Sequence, residues 1–293
     1  MSNPRIPFQL ASNRPPLKAP GGKSLIVHVE AALEAWPFHQ PMPRAILPAP
    51  HGKAPTPDVV NFSWVEYGLR CGVPRLIRVL AERGIRPGNL MNAGVIDVYP
   101  AVAEAALDAG WEFIAHGVYQ QTLQSVDDEV QVIEETAATF EAFTGARPRG
   151  WIGPGLVQTL ETPDHLVAAG FDHCMDWPLD DLPCWMITRN GPLLAVPYTL
   201  DLNDVTVFAH ERQSADEYVA RFAAAIAALE PELEQGPRVM TVVAHPHVIA
   251  VSHRIGAFAQ VLDMFLARDD TVFMTASEIT DWYAGEDPPP GGS

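Results

Sequence analysis

The 293-residue sequence is poor in cysteine, poor in positive charge and without any long apolar run. Each shortage excludes a class of protein. Its three cysteines, Cys71, Cys174 and Cys184, stand far apart with no CxxC spacing, so neither a disulfide framework nor a cysteine zinc site is signalled. A reducing, cytoplasmic setting is expected. The 19 Lys and Arg against 36 Asp and Glu leave a formal charge of −17, which argues against nucleic acid and anionic membrane surfaces, since both need a basic footprint. No stretch approaches the length of a membrane span, and residues 1–24 lack the apolar core of a secretory signal. No membrane or export targeting is therefore expected.

What is present describes a folded body: 47% hydrophobic and 19% charged residues, at a length that suits one α/β barrel. From Leu25, strand-like and helix-like segments alternate almost to the end, the pattern of βα units around a parallel sheet, and their count favours seven or eight. The chain divides into a Pro-rich arm (1–24), a barrel domain (25–284) and a tail (285–293) expected to be disordered. A second Pro-rich excursion, 37–57, follows the first strand and cannot be regular structure. The first strand is expected over 25–30, and the segment 61–70, rich in aromatics and charge, is read as a loop.

Polar residues cluster where predicted strands end: His28 and Glu30, then His116, then Asp176, Asp180 and Asp181, then His245 and His247. In a barrel these ends converge on one face, where active sites sit. A carboxylate in an apolar strand is costly unless paired or functional, which singles out Glu30, with His28, His116 and Arg70 as partners. His245 and His247 are candidates for acid or base work near neutral pH. Trp64 and Arg70 suit a pocket wall, although a loop packed on the barrel rim explains them equally well. The spacing His116-x-x-x-Gln120 puts glutamine, a poor metal ligand, where a second histidine would serve. There is no nucleophile elbow and no glycine-rich phosphate loop, so serine-hydrolase and nucleotide-binding readings lack support.

These residues together resemble the polysaccharide deacetylase family, from Leu25 to about Tyr283. The resemblance rests on Val27-His28-Val29-Glu30, Glu66-Tyr67-Gly68 with Gly72-Val73-Pro74, Ala115-His116-Gly117, Gly145-x-x-Pro148-x-Gly150-Trp151, Asp180-Asp181-x-Pro183, Pro197-Tyr198 with Asn203-Asp204, and His245-Pro246. It implies a distorted (β/α)7 barrel and hydrolysis of an amide carbon–nitrogen bond. In the family's metal-dependent members a first-strand Asp is the base, a second Asp binds metal, and an H-x-x-x-H pair completes the site. Here His28, Glu30, His116 and Gln120 hold those positions, and three of the four are altered.

The departures resemble the branch of metal-independent allantoinases and cyclic imide hydrolases, in which homotetramers are usual. The resemblance therefore implies ring opening of a small cyclic amide, imide or ureide without a cofactor. Glu30, His116, His245 and Glu66 become the catalytic candidates. His28, Trp64, Arg70, Gln120, Trp151, Asp180, Asp181, Asn203 and His247 become candidates for substrate binding. Should a divalent metal such as zinc be used instead, Glu30, His116 and His28 are the expected ligands. Deacetylation of an amino sugar or peptidoglycan, and a non-catalytic binding protein on a degenerate barrel, are the alternatives.

Overall fold

The computed structural model describes residues 3–290. Its spine is β1 (Leu25–Leu33), a strand buried along its whole length. Side chains alternate across a strand, and here both faces find apolar partners. Leu25, Val27, Val29, Ala31 and Leu33 join the core under the helices, whereas Ile26 and Ala32 join a smaller interior cluster with Leu90, Ile114, Ile152 and Val243. His28 and Glu30 share this inner face.

β1 pairs in parallel with β2 (Gly88–Met91) and β8 (Arg238–Ala244), and its first residues pair with β9 (Thr271–Phe273). Beyond β2 the sheet continues through β3 (Glu112–Ala115), β4 (Gly150–Trp151), β5 (His173–Cys174) and β7 (Leu193–Ala195), and ends in the antiparallel β6 (Cys184–Met186). The expected distorted barrel is borne out. Between β7 and β8, where no strand pairing closes the wall, the 197–199 segment bridges the gap: Thr241 donates its hydroxyl to Pro197 O at 2.9 Å, and its N–H to Thr199 Oγ1 at 2.9 Å.

Most helices fall where the periodicity places them, each with a local reason to start or stop. Asp128 caps α5 (Glu129–Thr144) by accepting from Gln131 N, and Gly145 ends it at φ 81°. Thr275 and Glu278 form a capping box for α9 (Ala276–Glu286), which runs two residues past the expected end of the barrel at 284. Gly291–Ser293 of the tail and Met1–Ser2 of the arm lie outside the described residues. The arm itself is stitched to the barrel by Arg5, whose guanidinium forms a two-pronged pair with Asp164 at 2.7 and 2.9 Å.

Two expectations are corrected. The first strand does not stop at Glu30 but continues three residues further, because Ala31, Ala32 and Leu33 keep both faces apolar and pair with Asn89, Leu90 and Met91. The 61–70 segment is not a loop. Asp58 caps α1 (Val59–Tyr67), and a π-helical turn, Gly68–Gly72, carries the chain into α2 (Val73–Ala81). Gly68 and Gly72 are not breakers there: both have right-handed helical backbones, and their missing side chains admit the 245–247 segment. A Cβ on Gly68 would lie 2.7 Å from His247 Cα, and one on Gly72 would lie 2.5 Å from Pro246 O.

Helix propensity alone favours Ala over Gly by roughly 1 kcal/mol. Contact with rigid backbone reverses the sign, because overpacking a well-filled site costs about 1–3 kcal/mol. Gly68→Ala is expected to lower the urea midpoint of unfolding and to reduce activity by shifting the 245–247 turn; a midpoint at or above wild type would show that the turn yields freely.

Candidate active site

Register places the site. Leu33, Met91 and Ala115 are mutual partners across β1, β2 and β3, so the next residues, Glu34, Asn92 and His116, emerge at one level at the carboxyl ends of the strands. Asn92 ties this layer together: its Oδ1 accepts from Ala35 N at 2.9 Å, and its Nδ2 donates to His116 O. Ala31 pairs with Ala244, which brings His245 to the same end. The result is a pocket of about 200 Å³ whose polar lining includes Glu34, Arg44, His116, Gln120, Tyr198, Asn203 and His245.

Glu34 is the buried charge of this pocket, with its side chain 1% exposed. Oε2 accepts from Trp36 Nε1 at 2.7 Å, and Oε1 lies 3.6 Å from His245 Nε2 and 4.0 Å from Arg44 Nη2. Burial alone would raise the carboxyl, but the Arg44 charge and the His245, His247 and His116 rings overcome it and bring it to about 2. Arg44 comes from the Pro-rich excursion, which is pinned by Asn61 of α1. Asn61 Oδ1 accepts from Ile46 N and Leu47 N at 2.8 and 3.2 Å.

The histidines divide by their partners. His245 Nδ1 lies 2.6 Å from Asp204 Oδ1, and its own N–H donates to Asp204 Oδ2 at 2.7 Å, so Asp204 fixes both ring and backbone and turns Nε2 toward Glu34. His116 Nδ1 lies 2.7 Å from Ile152 O and must donate to it, which leaves Nε2 as the free ring nitrogen. Burial lowers His116 below its usual range despite the opposing charge of Glu34, so the neutral ring keeps a lone pair on Nε2. His247 is more strongly lowered by burial, and its Nε2 accepts from Arg44 Nη1 at 3.2 Å. Trp64 Nε1 donates to His247 O at 2.7 Å, so both serve to hold the turn and Arg44.

Tyr198 completes the wall. Its hydroxyl accepts from Asn203 Nδ2 at 2.8 Å, and burial pushes its pKa well up, so the phenol keeps a proton to donate.

Of the sequence candidates, His116, Gln120, Asn203 and His245 line this pocket. Glu30 does not. It lies four residues before Glu34 on β1, about 13 Å lower at roughly 3.3 Å per residue. There it is fully buried with Oε1 3.0 Å from His28 Nε2. Burial opposes a charge on His28, but the adjacent Glu30 overcomes this and raises its pKa, so the two face each other inside the barrel, where neither Glu30 oxygen nor either His28 ring nitrogen has a well-aligned hydrogen-bond partner. Gly88 leaves them room: a Cβ there would meet both His28 Nε2 and Glu30 Oε1 within 3.4 Å.

Other candidates are placed elsewhere. Trp151 is fully buried in the helix-side core, and Glu66 pairs with Arg70 at 3.3 Å outside the pocket lining. Asp180 pairs with Arg14 of the arm at 3.0 Å, and Asp180 and Asp181 line a neighbouring groove that shares only Tyr198 and Leu200 with the pocket. Glu34 and Arg44 are the residues that sequence reasoning passed over, and Tyr198 and Asp204 gain roles beyond the motif. Period two from Glu30 through Ala32 is the signal that would have exposed Glu34.

The donor set does not fit a metal. Among the described residues no three or more His, Cys, Asp and Glu side chains are grouped to hold one. The proposed set of Glu30, His116 and His28 is split between two levels of the barrel. At the mouth, the Arg44 guanidinium supplies positive charge beside Glu34, where it would repel a second cation.

The fold that carries this pocket is shared with solved structures. Residues 53–173 match the family described as polysaccharide deacetylase, which bears out the resemblance read from the sequence motifs. The whole fold is similar to that of PuuE allantoinase, at 23% identity and a TM-score of 0.87 over 98% of this chain and 99% of that one. It is also similar to a probable polysaccharide deacetylase from Pseudomonas aeruginosa PAO1, at 24% identity and a TM-score of 0.81 over 94% and 96%. No curated protein matches the chain.

The depressed carboxyl of Glu34 gives a stability prediction. Its folded value of about 2 lies below its ordinary 4.5, so its contribution is present above 4.5 and is lost as pH falls toward 2. At about 1.4 kcal/mol per unit, the full effect is on the order of 3 kcal/mol. Unfolding of Glu34→Gln in urea should show that deficit at neutral pH and a shrinking one on acidification; a deficit independent of pH would contradict the assignment.

Proposed function

We propose that the chain hydrolyses the amide bond of a small cyclic imide or ureide. One observation carries this reading: a neutral His116 Nε2 and an Asp204-held His245 Nε2 face one small pocket that also contains Arg44 and Tyr198. The pocket volume suits a five- or six-membered ring better than a polysaccharide chain. The similarity of fold to an allantoinase accords with the same choice.

In the proposed reaction His116 Nε2 takes a proton from water, and the oxygen attacks the ring carbonyl. A carboxylate held near 2 is a weak base beside an imidazole, so Glu34 is assigned to electrostatics: it holds Arg44 and balances His245. The Tyr198 hydroxyl and Arg44 donate to the oxygen that becomes negative. The carbon–nitrogen bond breaks as the proton that His116 took from water is returned to the leaving nitrogen, with His245 Nε2, its ring held by Asp204, placed to relay it, so that both rings end as they began. Gln120, whose Oε1 has no partner, is the candidate acceptor for a ring N–H. A tetrameric, cytoplasmic enzyme is part of the same reading.

Turnover of succinimide, hydantoin and allantoin, followed by acid release, tests the assignment. His116→Ala should lose roughly 10²–10⁴-fold in kcat and Tyr198→Phe roughly 10-fold or more, with activity surviving dialysis against a chelator. Acetate release from chitooligosaccharides, or loss of activity to chelation restored by zinc, would overturn it. Because burial lowers His116, kcat/KM is expected to hold as pH falls past 6.5 and to decline only below it, as the base gains its proton. An acid limb above 6.5 would remove His116 from that role.

A further inference from the structure

A second cavity, of about 290 Å³, lies behind the wall of the catalytic pocket. Its sides are Trp64, Phe208, Ile46 and Val248, and two arginines, Arg212 and Arg254, complete it. In a chain of charge −17 its lining contains no Asp or Glu. Nearly all other arginines here have a carboxylate within ion-pair distance, whereas neither of these does among the described residues. Arg254 is half-buried, its guanidinium 4.4 Å over the Phe208 ring, with Nη1 donating to Val248 O at 3.1 Å. Burial lowers its pKa, Asp204 offsetting this only in part, so a nearby anion would relieve a real desolvation cost. Arg212 has φ 56°, a left-handed backbone that ordinary side chains rarely adopt and that places it on this rim.

We propose that this cavity is a binding site for a small carboxylate anion with a flat or short apolar body. The guanidinium of Arg254 offers a planar donor edge to the carboxylate, Arg212 closes over it, and Trp64 and Phe208 pack against the apolar part. The cavity shares two walls with the catalytic pocket. The π-helical turn Val205–His210 gives Val205, Thr206 and His210 to the catalytic side and Phe208 and Ala209 to this one. Likewise Arg44 faces the catalytic pocket and Ala45 and Ile46 face the second. An anion bound here therefore lies across a shared wall from the catalytic pocket, against Ala45 and Ile46 rather than Arg44. The site does not require the proposed reaction, although a ring-opened product has the carboxylate it would take.

Isothermal titration of the full chain with sodium benzoate, and separately with succinamate, tests this. Saturable one-site binding is expected, weakened roughly tenfold or more by Arg212→Met and by Arg254→Lys, and retained in His116→Ala. Arg212 is exposed, so its variant keeps the test sound if the Arg254 variant folds poorly. Tighter succinamate would identify the source as the enzyme's own kind of product and tighter benzoate an unrelated acid, and either upholds the site. It is overturned if neither titrates at millimolar concentration, if Arg212→Met binds like wild type, or if Arg44→Met alone abolishes binding, which would put the anion in the catalytic pocket.

Discussion

An ionised carboxylate enclosed at the mouth of the barrel is the constraint around which the rest is arranged. Glu34 is almost wholly removed from water, and an unpaired buried charge costs several kcal/mol. Three separate parts of the chain converge to offset that cost: Trp36 through an indole N–H, Arg44 through its charge, and His245 through a ring held by Asp204. Two of the three depend on support of their own. Arg44 sits on a Pro-rich excursion that gains order from Asn61, and His245 sits on a turn that Gly68 and Gly72 admit at backbone contact distance. The irregular segments of this fold are thus the ones that the charge at its centre requires.

The same constraint explains why the barrel tolerates two buried carboxylates with opposite uses. Glu30 lies within β1 and Glu34 immediately follows its last residue, Leu33, and both are enclosed. Glu30 meets a single histidine, His28, and lines no part of the pocket at the barrel mouth. Glu34 meets groups that also line a cavity, so its field reaches whatever enters. Position along the chain, rather than residue type, separates the carboxylate enclosed in the barrel from the one that faces the pocket.

That distinction marks how far the sequence was legible. Strand and helix order could be read because apolar periodicity and glycine stops are local signals, as with Gly145 after α5. His116, His245, Gln120 and Asn203 were found because each follows an apolar strand or stands in a motif. Glu30 drew attention for the same reason, yet the small residues Ala31 and Ala32 disguised three further residues of strand and hid Glu34. Arg44 lacked any local signal, since its place depends on a contact between the excursion and α1. Trp151 misled in the other direction: the family resemblance made it a candidate for substrate binding, but parity on its two-residue strand turns it toward the helices.

Recruiting loop residues to balance the central charge has a consequence for how the pocket responds. A site made only from strand ends would be as rigid as the sheet, but Arg44 belongs to a loop whose next large apolar residues, Ile46 and Leu47, are exposed rather than packed into the core. Ile46 is 52% exposed, and it stands two residues from a cation that sets the charge state of Glu34. A displacement of this loop therefore alters the electrostatics of the pocket before it alters its shape. In a low-dielectric site, moving a guanidinium by a fraction of its distance to a carboxylate changes their interaction by an amount comparable to a catalytic hydrogen bond. The charge at the pocket mouth thus depends on a loop, while the strand ends fix where the pocket lies.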